Sequence, residues 1–233
     1  MPQELSPQER KAARVESLHR CVPSRTALIV VDMQRAFIEE GAALAVPQAR
    51  AIVAVIRELI ATCRERDIPV IYTKYVYSPA IPCLRGDPFG PEHLPPVPGN
   101  PTGPGRPSGN ALIGQEGCNS AEIVDELRPE PHDLIVEGFA YDKFYGTPLD
   151  HALRSRDIRY LAVTGVLADV CVNATIMSAS TREYRVTAVK DGTATMSPDL
   201  LDACFRVWGR KFARLTTADD LIAEWRSGEQ VDA

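Results

Sequence analysis

Two residues in this chain carry the types and settings needed to make a nucleophile. Cys171 stands in Thr164-Gly165-Val166-Leu167-Ala168-Asp169-Val170-Cys171-Val172, and Asp32 in Val31-Asp32-Met33-Gln34-Arg35-Ala36-Phe37. A neutral thiol attacks carbonyls poorly and needs a group to take its proton, which a carboxylate on a neighbouring strand end can do. Cys171 is expected where a turn passes into a helix, with free backbone donors and the positive end of the helix dipole facing its sulfur, an arrangement that lowers a thiol pKa. Position alone leaves a plainer alternative open, in which Cys171 is a small core residue and Asp32 a helix cap. A third segment of interest runs from Glu137 to Gly146.

These segments matter because each follows an apolar run, and in an open parallel sheet ligands bind beyond the carboxyl ends of the strands. Ala27-Leu28-Ile29-Val30-Val31 is continuously apolar, as a strand covered on both faces must be, and it ends at Asp32. From Pro47 to Arg66, apolar residues recur at Ala49, Ile52, Val53, Ile56, Leu59, Ile60 and Cys63, the spacing of an amphipathic helix. Further strands are predicted at Pro69 to Tyr75, Asp133 to Glu137, Tyr160 to Thr164, Arg185 to Val189 and Phe212 to Leu215. Helices are predicted from Thr147, after Cys171, from Ser197 and from Ala218. Thr147-Pro148 and Ser197-Pro198 each place a capping hydroxyl before a proline, whose missing N–H is harmless in a first turn. The alternation predicts a doubly wound, three-layer α/β/α domain with a mostly parallel six-stranded sheet.

Residues 78–109 interrupt the pattern with ten of the nineteen prolines and six glycines, which excludes a helix or central strand there and predicts a long loop. Residues 1–25 read as a polar extension, and 26–228 as one domain, a size that a single α/β core accommodates. A net charge of −5 argues against nucleic acid as a partner. No run reaches the roughly 20 apolar residues that span a bilayer, and Glu4, Glu9, Arg10 and Lys11 are not the start of a signal peptide, so a cytoplasmic protein without a membrane partner is expected. Cys21, Cys63, Cys83, Cys118, Cys171 and Cys204 are scattered without CxxC pairs, which predicts reduced thiols. The histidines at 19, 93, 132 and 151 are equally dispersed and read as surface residues, so no metal and no cofactor are predicted.

Asp32-Met33-Gln34 with Phe37, followed by Gly165-Val166-Leu167-Ala168-Asp169-Val170-Cys171-Val172, resembles the two signature segments of isochorismatase-like cysteine hydrolases. The resemblance covers roughly residues 25 to 220. The stretch from Tyr141-Asp142 through Thr147-Pro148-Leu149-Asp150 to Cys171 is particularly similar to ureidoacrylate, biuret and N-carbamoyl amidohydrolases. It implies a triad of aspartate, lysine and cysteine, an oxyanion hole of backbone N–H groups at Leu167 and Cys171, and a cis peptide between Val166 and Leu167. The lysine departs from the pattern: counting nine residues back from Thr147 reaches Gly138. Lys143 and Lys74 are then the candidates, and the absence of any catalytic lysine is the third possibility. Phe37, Tyr141 and Tyr145 are candidate pocket residues, with ordinary core or helix-flanking aromatics as the alternative.

The resemblance further implies a small-molecule substrate and a homodimer or homotetramer. Metal-dependent nicotinamidases of the superfamily carry an aspartate and two histidines in early loops, where this chain offers only His93. Family members that cleave a vinyl ether manage without the cysteine, so Cys171 points to acyl transfer. The expected function is hydrolysis of the C–N bond of a small amide, ureido or carbamoyl substrate through a thioester. The alternatives are an enzyme that does not use the thiol, or a degenerate binding protein suggested by Gly138.

Overall fold

A computed structural model describes residues 5–40, 42, 44–76 and 121–228. Its six strands are β1 (Thr26–Val31), β2 (Val70–Tyr75), β3 (Leu134–Gly138), β4 (Tyr160–Gly165), β5 (Arg185–Thr193) and β6 (Arg214–Thr216). They form one sheet in the order β3-β2-β1-β4-β5-β6, with every pair parallel. The helices are α1 (Pro7–His19), α2 (Arg35–Ile38), α3 (Ala49–Glu65), α4 (Leu149–Arg154), α5 (Asn173–Thr181), α6 (Pro198–Lys211) and α7 (Ala218–Ser227). The predicted loop at 78–109 lies outside the described residues.

The apolar run of β1 is explained by where its side chains go. Successive strand residues point to opposite faces. Leu28 and Val30 therefore join one core with Ile52, Val53, Ile56 and Leu59 of α3 and Trp225 of α7, while Ala27, Ile29 and Val31 join the other with Leu153 of α4, Ile176 of α5 and Trp208 of α6. Both faces of the strand are dry, so an alternating polar pattern is impossible. At about 1.5–3 kcal/mol for each large apolar side chain buried, these two layers supply the main drive for assembly.

Several boundaries move. Polarity alone does not announce α1, which begins with a capping box: the Ser6 hydroxyl accepts from the Glu9 N–H at 3.3 Å, and the Glu9 carboxylate accepts from the Ser6 N–H at 2.7 Å. No residue of α1 is buried, and polar contacts hold it: Lys11 Nζ donates to the Arg210 carbonyl at 2.7 Å, and buried Arg214 pairs with Glu16 at 2.7 Å and Glu224 at 2.6 Å. His19 ends this helix half-buried rather than on the surface, and its pKa is lowered, first by burial. β5 extends to Thr193, four residues past the apolar run, because its register against β4 shifts between Val163 and Gly165 and brings Thr193 beside Gly165. At α4 the capping position falls on Pro148, and the Thr147 hydroxyl accepts from the Leu149 N–H at 3.3 Å.

The strand order reverses direction at β1 and β4, opening a crevice at their carboxyl ends. Asp32 stands at the end of one, and the Cys171 segment at the end of the other.

Candidate active site

Asp32 leaves β1 with φ of 51°, a left-handed conformation that aspartate tolerates better than most residues. Its backbone N–H still reaches across to the Thr73 carbonyl at 3.2 Å, so the turn stays tied to β2. The carboxylate is wholly buried, and each oxygen has its own partner. Oδ1 accepts from the Thr73 hydroxyl at 2.7 Å, and Oδ2 lies 2.7 Å from Lys143 Nζ. The Lys143 contact is an ion pair rather than an aligned hydrogen bond.

Opposite, β4 ends at Gly165 with φ of +108°, where a Cβ would fall 2.1 Å from the Val31 carbonyl oxygen. Only glycine allows the two strands to meet at this level. The Val166–Leu167 peptide that follows is cis. The chain then enters a single π-helical turn, Ala168–Val172, in which the Val172 N–H donates to the Leu167 carbonyl five residues back at 3.0 Å. Such turns recur at functional sites because the wider coil redirects side chains. This one carries Cys171 and runs straight into α5.

The Cys171 thiol is 3% exposed, and its pKa is raised well above the ordinary value. Burial is the main cause; the Asp32 carboxylate beside the thiol acts in the same direction. Lys143 and a backbone hydrogen bond from Leu167 oppose them. The expected lowering by the helix terminus is thus reversed. The sulfur sits inside the first turn, away from water, beside a carboxylate that already neutralises the nearest cation, so at rest it holds its proton.

Lys143 is fully buried, its ammonium also donating to the Ala140 carbonyl at 3.3 Å and lying 5.3 Å from the centre of the Tyr75 ring. Lys74 is excluded from the site by strand geometry. Thr73 faces Asp32, so its successor points to the other side of the sheet, where it pairs with Glu122 at 3.1 Å and Glu137 at 3.3 Å. Gly138 ends β3, and a side chain there would press on Thr147 at 3.2 Å. The charge comes instead from the loop beyond, and the motive for a non-catalytic reading disappears.

Of the aromatic candidates, Phe37 is buried in the core shared with α3. Tyr141 stacks on Tyr75, ring centres 5.7 Å apart, and Tyr75 is the ring that the Lys143 ammonium approaches. Tyr145 is 72% exposed: the turn closed by its N–H on the Asp142 carbonyl at 3.1 Å sends Phe144 into the core and Tyr145 outward.

Sequence reasoning missed three residues. Thr73 orients Asp32, Tyr75 underlies Lys143, and buried Gln34 grips the Tyr75 backbone twice, donating to its carbonyl at 2.9 Å and accepting from its N–H at 2.8 Å, while also donating to the Ala121 carbonyl at 3.0 Å. Gln34 lay in the recognised segment, so a signal existed; Thr73 and Tyr75 are ordinary strand residues by type. Among the described residues no group of three or more His, Cys, Asp or Glu could hold a metal ion, and no helix is long and apolar enough to cross a membrane.

Residues 26–220 match the family model of the isochorismatase domain. A ureidoacrylate amidohydrolase from Pseudomonas syringae pv. syringae (strain B728a) is 32% identical over 210 residues, covering 84% of this chain and 81% of that protein. Among solved structures, a cysteine hydrolase from Pseudomonas syringae pv. phaseolicola 1448A superposes with a TM-score of 0.73 at 29% identity, covering 90% of this chain and 96% of that one. The N-carbamoylsarcosine amidase of Thermoplasma acidophilum gives 0.64 at 32% identity, with 84% and 97% covered.

Proposed function

The chain belongs to the isochorismatase family, and on that premise we propose that it is a cysteine-dependent amidohydrolase that opens the C–N bond of a small ureido, carbamoyl or amide substrate through a thioester on Cys171. That it is a hydrolase of C–N bonds follows from relatives that are a ureidoacrylate amidohydrolase and an N-carbamoylsarcosine amidase. The observation that carries the finer reading is one charge cluster: the ends of β1 and β4 and the loop after β3 bring a carboxylate, a thiol and an ammonium together out of water, with Lys143 2.7 Å from the Asp32 oxygen.

In the proposed cycle, sulfur attacks the substrate carbonyl carbon as its proton passes to Asp32. The C–S bond forms, and the carbonyl π electrons move to oxygen, where the backbone N–H groups of Leu167 and Cys171 hold them. One such donor is worth about a hundredfold or more in rate. When the oxyanion collapses, the C–N bond breaks and the nitrogen leaves as ammonia or an amine, taking the proton held by Asp32. Water then gives a proton to Asp32 and attacks the thioester; the C–S bond breaks and the sulfur recovers its proton. Lys143 offsets the negative charge created on sulfur, the direction in which it acts on the thiol at rest. A protonated resting thiol suits this scheme, because the anion forms only as it is used.

The test is intact-mass detection of an acyl adduct during turnover across ureido acids, carbamoyl amines and simple amides, ureidoacrylate included. The adduct should map to Cys171 and vanish with turnover in Cys171→Ala. Undiminished turnover by Cys171→Ala would refute the thioester route.

A further inference from the structure

The nucleophile and the loop that delivers its cation are fastened to one helix. Cys171, Thr175, Ser178 and Arg182 follow one another at intervals of four, three and four residues, which lays them along a single stripe of the π turn and α5. The last three all grip the Asp142–Phe144 loop or one another. The Thr175 hydroxyl accepts from the Lys143 N–H at 3.4 Å. The Ser178 hydroxyl donates to Asp142 Oδ2 at 2.8 Å, and the other oxygen of that carboxylate accepts from the Phe144 N–H at 2.9 Å. Arg182 donates to the Ser178 hydroxyl oxygen and to the Ser178 carbonyl, and its guanidinium covers the Phe144 ring 4.9 Å from its centre.

The polarity of this chain of contacts is set by charge. A guanidinium feeds the Ser178 oxygen, so the only proton Ser178 can offer goes to the Asp142 carboxylate, and hydrogen bonds with an ionised partner are roughly twice as strong as neutral ones. Asp142 and Phe144, the two neighbours of Lys143, are thereby held against α5, and the Lys143 carbonyl is taken by the Thr147 hydroxyl. With its backbone held on both sides, Lys143 starts from a fixed point and extends its side chain to Asp32. This explains how a lysine five residues beyond Gly138 supplies the charge at the site.

We propose that Thr175, Ser178 and Arg182 are positioning residues that set the location of the Lys143 ammonium relative to the Cys171 sulfur, so that the helix acts as a ruler between nucleophile and cation. The inference rests on the reading of Cys171 and Lys143 as catalytic. A displacement of about 1 Å in such a group can lower the rate by about a hundredfold. Ser178→Ala and Thr175→Val should therefore lower kcat by about 10- to 100-fold while KM stays within about twofold, the split expected when transition-state positioning is lost.

The same variants should move the titration of Cys171, followed by ultraviolet thiolate absorbance as the difference from the matching Cys171→Ala protein, to higher pH, because the receding ammonium no longer favours the anion. Ser178→Thr keeps the hydroxyl and should restore both kcat and the titration. If Ser178→Ala and Thr175→Val lower thermal stability but leave kcat and the titration at wild-type values, the stripe is merely structural and the inference falls. Retained turnover in Cys171→Ala would instead refute the underlying reading, whatever the titration shows.

Discussion

Replacing Lys143 by methionine keeps most of the side-chain volume and removes the charge that faces Asp32, together with the weaker donation to the Ala140 carbonyl. Lys143 Nζ and Asp32 Oδ2 are 2.7 Å apart, with both side chains essentially inaccessible to water. At that distance and an effective dielectric constant of about 20, two unit charges attract by about 6 kcal/mol, a gain set against the several kcal/mol that drying each ion costs. Removing one partner leaves the other charged and buried, and such losses run to about 3–5 kcal/mol. For a domain of this size, each kcal/mol lowers the melting temperature by about 2–4 °C, so Lys143→Met should melt at least roughly 6 °C below the wild type. The companion variant Asp32→Asn should be destabilised as well. The double variant, in which neither charge remains, should be distinctly more stable than the sum of the two single effects predicts. Denaturant unfolding of all four proteins closes the cycle. A loss below about 1 kcal/mol in Lys143→Met, or additive effects in the double variant, would refute a buried ion pair at this site and with it the charge balance the mechanism uses.

Gly165→Ala places a methyl group 2.1 Å from a backbone oxygen of β1 at a positive φ, where neither atom can yield cheaply; circular dichroism and denaturant unfolding should show a loss beyond about 4 kcal/mol or failure to fold, and a near-native midpoint would contradict the close strand approach. Thr73→Val leaves Asp32 Oδ1 buried without its hydroxyl donor and should cost about 1–3 kcal/mol, most of it recovered in Thr73→Ser; equal stability of the three proteins would show that the hydroxyl is not engaged. The buried thiols predict a weakness in alkali: Cys171 and Cys63 are raised well above their ordinary pKa, Cys21 to about 12 and Cys204 to about 11, all first by burial. A raised folded pKa means that the stabilisation is complete below the unfolded value and lost above it, so stability should fall from about pH 9 upward by about 1.4 kcal/mol per pH unit for each such thiol, and Cys171→Ala should fall less steeply; parallel curves would show that Cys171 does not titrate this way.

The parallel sheet and its layers were legible in sequence because burial on both faces leaves a strand no polar positions, and the run from Ala27 to Val31 shows it directly. The amphipathic spacing of α3 was legible for the same reason, since one stripe of it must pack on that sheet. Asp32 and Cys171 could be singled out because strand ends are where a doubly wound fold exposes chemistry, and the resemblance of their segments narrowed that chemistry. α1 was missed because its anchors, Arg214, Glu224 and Arg210, lie roughly two hundred residues away, and only its Ser6 and Glu9 capping pair was visible locally. Between Lys74 and Lys143 the sequence could not decide. One strand position separates Thr73, facing Asp32, from Lys74, facing away, and a loop held by a distant helix carries Lys143 inward. The state of the thiol was misread for a related reason. A helix terminus can be inferred from neighbouring residues, whereas burial and an opposed carboxylate are sums over everything packed around the sulfur, and those exist only once the chain has folded.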